Sequence, residues 1–151
     1  MKKIITAAAA LALTFGAAIN EAPNANAFPW NAPAENLAAA EADIFNQINA
    51  IRVQHGLAPV VWSDGHANTS RSWAQSSAQR DQLAHDPMAL QVSDMENVAV
   101  MYGNPRDAVP AWMNSPAHRD NILNPYAKTL GIGVAKNHAT GGYFITMRGS
   151  Y

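Results

Sequence analysis

Cysteine is absent from the 151-residue chain, which excludes a disulfide framework and attachment of a lipid through a thiol. Clusters of lysine and arginine are also missing. Ten basic and eleven acidic residues are dispersed along the chain for a formal net charge of −1, so the electrostatic footprint of a nucleic-acid or anionic-membrane partner is not there. Long hydrophobic runs are missing too, with one exception between Ile4 and Ile19. That run is rich in alanine and shorter than the roughly 20 residues a bilayer span needs. It follows Met1-Lys2-Lys3 and is followed by Ala25-Asn26-Ala27, the basic start, apolar centre and A-x-A site of a secretory signal peptide covering residues 1–27.

Export is therefore expected, to the extracellular space or the cell envelope, with no transmembrane segment once the signal is removed. A cysteine-free exported chain also points to a bacterial source. The 124 residues that remain form one domain by length, large enough to build a core without staples, and are expected to act as a monomer. Loss of Lys2, Lys3 and Glu21 leaves eight basic and ten acidic residues, a formal net of −2.

Residues 28–39 read as a proline-punctuated N-terminal segment and a helix start, and residues 40–151 as the domain proper. Pro33 suits a first helical turn, and Leu37, Ile44, Ile48 and Ile51 recur at helical spacing until Gly56. "LAPVVW" (57–62) reads as an extended link, because Pro59 keeps its predecessor out of helical geometry. Ser63 or Asp64 caps a second helix that runs to about Arg80, with Ala67, Ala74 and Ala78 on one stripe. Residues 81–95 read as loop, and "ENVAVM" (96–101) is open between a short strand and a buried turn. Asn104-Pro105 opens a helix that Pro110 is expected to kink or shorten, and Ser115-Pro116 opens another. "LGIGVAK" and "YFITMRG" alternate apolar residues around a glycine-containing loop, which predicts an antiparallel hairpin. Helices first and a small sheet last make an α+β domain.

Several polar residues carry two readings. Ser115 followed by Pro116 is a helix cap whose hydroxyl would accept from the amide of Ala117 or His118; as a nucleophile it lacks a glycine-flanked elbow. His118 sits in a first helical turn, where the helix dipole favours neutral imidazole able to accept a proton or ligate a metal. His85 lies in a loop that can aim it into a cleft. Glu96 adjoins an apolar run and needs a histidine, an arginine or a backbone amide to offset its desolvation. Asp86 before Pro87 reads as turn chemistry outside any site, and His66 and His138 as exposed. Gly131-x-Gly133 is not a dinucleotide fingerprint, since Lys136 stands where the third glycine belongs. Two histidines and a carboxylate suffice for three zinc ligands with a position left open, but there is no H-E-x-x-H, and the spacing of these residues does not establish a site.

Taken in order, "NAIRVQHGLAPVVW", "LAHD", "ENVAV", "AWMNSPAHRDNIL", "LGIGVA" and "YFITM" resemble a bacterial member of the CAP superfamily, the SCP-like extracellular domains that include cysteine-rich secretory proteins, antigen 5 and plant pathogenesis-related proteins. The resemblance covers about residues 40 to 148. It implies an α-β-α sandwich with a small antiparallel sheet between helices. It also implies a cleft that gathers His85, Glu96 and His118, with Ser115 where relatives keep a second acid, and in some members zinc or another divalent ion there. Met95 and Met147 depart from the family's usual glycine and glutamine. Three functions follow as expectations. The first is a secreted binding module of the envelope or extracellular space whose His85/Glu96/His118 cleft holds a divalent metal or a small polar ligand. The second is a metal-assisted hydrolase, peptidase or esterase, with Glu96 as base. The third is a carrier of lipid- or sterol-like apolar ligands, motivated by Trp30, Met88 and Met101.

Overall fold

A computed structural model describes residues 36–151; residues 1–27, read above as a signal peptide, and Trp30 and Pro33 lie outside the described residues. Helix α1 (Leu37–Gln54) starts where Asn36 accepts the Ala39 amide at 3.1 Å through its side chain, and it stops before Gly56, whose φ of +72° a side chain would resist. Ile44 and Ile48 of α1 are fully buried, and Glu41 and Arg52 share their stripe. Arg52 is satisfied by carbonyls alone, those of Ala58 (2.9 Å), Ile122 (2.8 Å) and Asn124 (2.8 Å), so one buried guanidinium ties α1 to two later segments.

"LAPVVW" is more than a link. Its last two residues form β1 (Val61–Trp62), a strand parallel to β3 (Thr129–Lys136). Two residues of parallel pairing leave no periodic pattern to read. β3 pairs antiparallel with β4 (Gly142–Ser150), and β4 with β2 (Met95–Tyr102), in the order β1-β3-β4-β2. The ambiguity of "ENVAVM" thus resolves as strand, and the hairpin is present at the expected place.

Both faces of the sheet are covered. Leu130, Ile132, Val134, Ile145 and Met147 face a core shared with Ile44 and Ile48 of α1, Val109 and Trp112 of α3 (Ala108–Met113) and Ile122 of α4 (Pro116–Ile122). Helix α2 (Asp64–Arg80), capped by Ser63 as expected with its hydroxyl accepting the His66 amide at 3.2 Å, packs on the opposite face. It presents Ala67, Ser70 and Ala74, all fully buried, and lies so close that a Cβ on Gly131 would fall 2.0 Å from the Ala67 nitrogen, and one on Gly133 2.2 Å from the Arg71 nitrogen. The G-x-G of β3 is therefore the seat of α2.

Side chains fill the borders of the sheet. Asn49 exchanges two hydrogen bonds with the backbone of Val60 (2.8 and 3.0 Å), just before β1. Beyond the short β1, the Val134 amide donates to buried Glu41 (3.1 Å), which also accepts from Arg71 at 2.6 Å. On the other border the carbonyls of Glu96 and Val98 in β2 accept from Asn121 (3.3 Å) and Trp112 (3.1 Å). Among the described residues no helix is long and apolar enough to cross a membrane.

Candidate functional site

The expected residues meet at the β2 border, and two consecutive residues of that strand organise them. Neighbours in a strand point to opposite faces. Glu96 stands opposite Arg148 of β4 and holds His85 on the α2 side. Asn97 holds α4 on the other: its amide donates to the His118 carbonyl at 2.9 Å and its oxygen accepts from Asn121 at 2.7 Å.

His85 arrives on the loop that follows α2. The loop is pinned by Trp73 donating to the Ala84 carbonyl (2.9 Å) and by Asp86 accepting the Met88 amide (2.9 Å). Glu96 has all three kinds of partner that its burial demands. Its Oε1 lies 2.9 Å from His85 Nδ1 and accepts the Asp86 amide at 3.0 Å, while Oε2 accepts from Arg148 Nε (2.9 Å) and Nη2 (2.7 Å). Arg148 Nη2 also donates to Asp86 at 2.6 Å. The Glu96 and Arg148 side chains are 4% and 3% exposed and that of His85 is 61% exposed, so a buried ion pair anchors an accessible imidazole. The turn reading of Asp86 holds, but the same carboxylate belongs to this network. Arg148 and Asn97 were not expected in the site at all.

Ser115 occupies the cap position of α4 with extended backbone, yet its hydroxyl makes no cap hydrogen bond. The expected bond to Ala117 or His118 N–H gives way to the His118 ring, which folds back over the first turn and places Nδ1 2.9 Å from Ser115 Oγ. The serine is thus bound to His118 after all, while Pro116 starts the helix. The two histidine rings are stacked, with centroids 6.2 Å apart and an interplanar angle of 30°. Burial, and then the neighbouring His85, lower the pKa of His118; the direction matches the expectation from the helix dipole, but the leading cause is desolvation. Neither Nε2 has a hydrogen-bond partner among the described residues.

The three-ligand metal arrangement does not fit this donor set. Both Glu96 oxygens are taken by four N–H donors, one pair of them from an arginine whose charge opposes a second cation. Among the described residues no group of three His, Asp or Glu side chains is placed to share a metal ion.

His66, read from the sequence as exposed, is half-buried against Ser150 Oγ at 3.1 Å. Burial lowers its pKa, a shift that Asp94 opposes and Arg148 reinforces. Both His66 and His118 therefore take up protons on unfolding once the pH falls below about 6.5, the ordinary histidine value. Their contribution to stability should be flat above that pH and decline below it until the folded pKa values are passed. Urea midpoints from about pH 8 to about pH 5 should therefore slope less for His118→Gln than for the unaltered chain. Parallel curves would contradict the burial of that ring.

A model of the cysteine-rich secretory protein family, CAP, matches residues 45–148. The chain is 29% identical over 115 residues to the uncharacterized protein YkwD of Bacillus subtilis, covering 68% of this chain and 45% of that one. It spans less than half the length of the curated relatives it matches. An outer surface protein from Borrelia burgdorferi has the same fold with a TM-score of 0.64 at 15% identity, over 77% of this chain and 96% of that one. A cysteine-rich secretory protein from Staphylococcus aureus gives a TM-score of 0.60 at 20% identity, over 78% and 40%. At such identities the likeness to both solved structures is one of fold.

Proposed function

Because the chain belongs to the CAP, or cysteine-rich secretory protein, family, we propose that it is an exported binding module, of the envelope or the extracellular space, whose His85–His118 cleft holds a small polar ligand. Export is supported by the signal-like residues 1–27 and by the names of the fold neighbours, an outer surface protein and a secretory protein. The cleft reading rests on one observation: two stacked imidazoles, each held from behind through Nδ1, that leave both Nε2 atoms free to hydrogen-bond. A neutral imidazole offers one donor and one acceptor. His85 gives its donor to Glu96 and so presents an acceptor at Nε2, while His118 presents a donor there when its Nδ1 accepts from Ser115. Such a pair suits a hydroxyl or an amide.

The same geometry gives less support to hydrolysis. A base needs a lone pair directed at water, and those of Glu96 are engaged by His85, Asp86 and Arg148.

The test is a histidine-selective nitrogen NMR titration of the full chain with acetate, with acetamide and with zinc chloride. Acetamide, which both donates and accepts, should move the Nε2 signals of His85 and His118 more than acetate does, and neither should move those of exposed His55 and His138. A His85→Ala/His118→Ala double variant should lose the effect. Silence towards both organic probes would overturn the proposal, and stoichiometric zinc binding lost in the double variant would replace it with a metal centre.

A further inference from the structure

Behind the Arg148–Glu96 pair, and separate from the imidazole cleft, a groove of about 340 Å³ runs between α2 and the loop that carries His85, within the range of small-ligand sites, roughly 300–1,000 Å³. One wall is a stripe of α2 formed by Thr69, Ser72, Trp73 and Ser76; the other is Met88 and Val92, 51% and 45% exposed. We propose that this groove binds a neutral sugar.

The first argument is a buried donor with spare capacity. Arg148 lines the groove although its side chain is 3% exposed. Its Nε and Nη2 serve Glu96 and Asp86, and its Nη1 gives one bond, to the Thr69 carbonyl at 3.3 Å. The second Nη1 hydrogen has no acceptor among the described residues, which leaves at the groove a donor that a ligand oxygen can take.

The second argument is the order of donors and acceptors. The hydroxyls of Thr69 and Ser72 donate back into α2, to the carbonyls of His66 and Asn68, both at 3.0 Å. They present lone pairs to the groove, as does the Asp86 carboxylate. Ser76 Oγ accepts from Arg80 at 2.5 Å and so has its own hydrogen to give, alongside the spare one of Arg148. A ligand that meets acceptors and donors in alternation needs groups that are both, and the hydroxyl is that group.

The third argument is charge and shape. Arg148 and Arg80 balance Glu96 and Asp86, so nothing favours a phosphate or a carboxylate. Met88 and Val92 offer an apolar surface to the C–H face of a pyranose, and Trp73, with the Arg80 guanidinium 4.9 Å from its ring centroid on one face, lines the groove beside them. An extended peptide finds no partner here, because a helical wall has its backbone groups bonded internally and offers no strand edge.

The experiment is a nitrogen–proton NMR titration of the full chain with cellotetraose and chitotetraose as neutral probes, tetragalacturonic acid as an acidic one and a tetraalanine peptide. A neutral tetrasaccharide should shift the Trp73 indole signal and leave those of Trp62 and Trp112 in place. Ser72→Tyr, at an exposed position that fills the groove without touching the core, should abolish the shift. Met88→Ala should weaken binding about threefold and Trp73→Ala about tenfold, the last equal to about 1.4 kcal/mol. Should Trp73→Ala fail to fold, Ser72→Tyr and Met88→Ala still decide the matter. Response to the acidic probe or the peptide alone, to no probe, or binding that survives Ser72→Tyr would overturn the assignment. Because the cleft is read from histidine signals with acetate and acetamide, either site can fail without the other.

Discussion

Gly133→Ala is expected to lower the stability of the domain by about 3 kcal/mol or more, and Gly131→Ala by a similar amount, the upper end of what overpacking costs. The new methyl at 133 would lie 2.2 Å from the Arg71 nitrogen and 2.3 Å from the Ser70 carbonyl carbon; at 131 it would lie 2.0 Å from the Ala67 nitrogen. These obstacles are helix backbone, which cannot rotate aside as a side chain can, so α2 must rise from the sheet. Its rise would strain the Ser70–Gly131 hydrogen bond (3.1 Å) and the Arg71–Glu41 ion pair (2.6 Å). Gly65→Ala is the matched control. It lies inside α2, its nearest neighbour would be Ser63 Oγ at 3.7 Å, and it should be neutral or stabilising by up to about 1 kcal/mol. Urea midpoints decide the matter, and an unchanged midpoint for Gly133→Ala would contradict the packing of α2 on β3.

The second large effect concerns Arg148. Arg148→Met should cost about 3–5 kcal/mol, the range for stripping one partner from a buried ion pair. Here the damage is doubled, since both Glu96 and Asp86 lose their cation. Adding Glu96→Gln in the same chain should recover part of the loss by removing the stranded charge. Arg148→Lys should not rescue, because an ammonium cannot place two donors on Glu96 while reaching Asp86 and the Thr69 carbonyl. The measurement is again denaturant unfolding. A single Arg148→Met variant within about 0.5 kcal/mol of the unaltered chain, the size of an ordinary surface substitution, would show that the pair is not the anchor of His85.

What the sequence revealed and what it hid have the same cause. The Ser63 cap, the Asn104-Pro105 start and the hairpin of β3 and β4 were legible because caps, prolines and alternation act within a few residues, whereas Pro110 ends nothing and sits in the first turn of α3. β1 was not, because its pairing with β3 reaches across more than sixty residues. His85, Glu96 and His118 were reached through the family resemblance, and the structure brings them together. Arg148 was hidden behind a correct pattern. Alternation placed Tyr143, Ile145 and Met147 in the core and left Phe144, Thr146 and Arg148 to the other face, which is buried only because α2 covers it. The signal that could have found it is the apolar run "YFITM": Phe144 on the second face already argues for a covered sheet, and Glu96 was in need of a cation. Ser115 shows the converse, a correct helix start with the hydroxyl engaged elsewhere.

The side chains along the sheet borders bear on how copies of the protein behave towards one another. A bare strand edge is a template for any other chain, and the danger grows with concentration. Here Asn49 occupies Val60, Glu41 takes the Val134 amide, and Trp112 and Asn121 cover the carbonyls of Val98 and Glu96. All of these blockers sit on α1, α3 or α4, so they leave only if a helix does. At these positions, resistance to edge pairing is thus tied to intact helix docking, and a second copy could add a strand there only after a helix had detached.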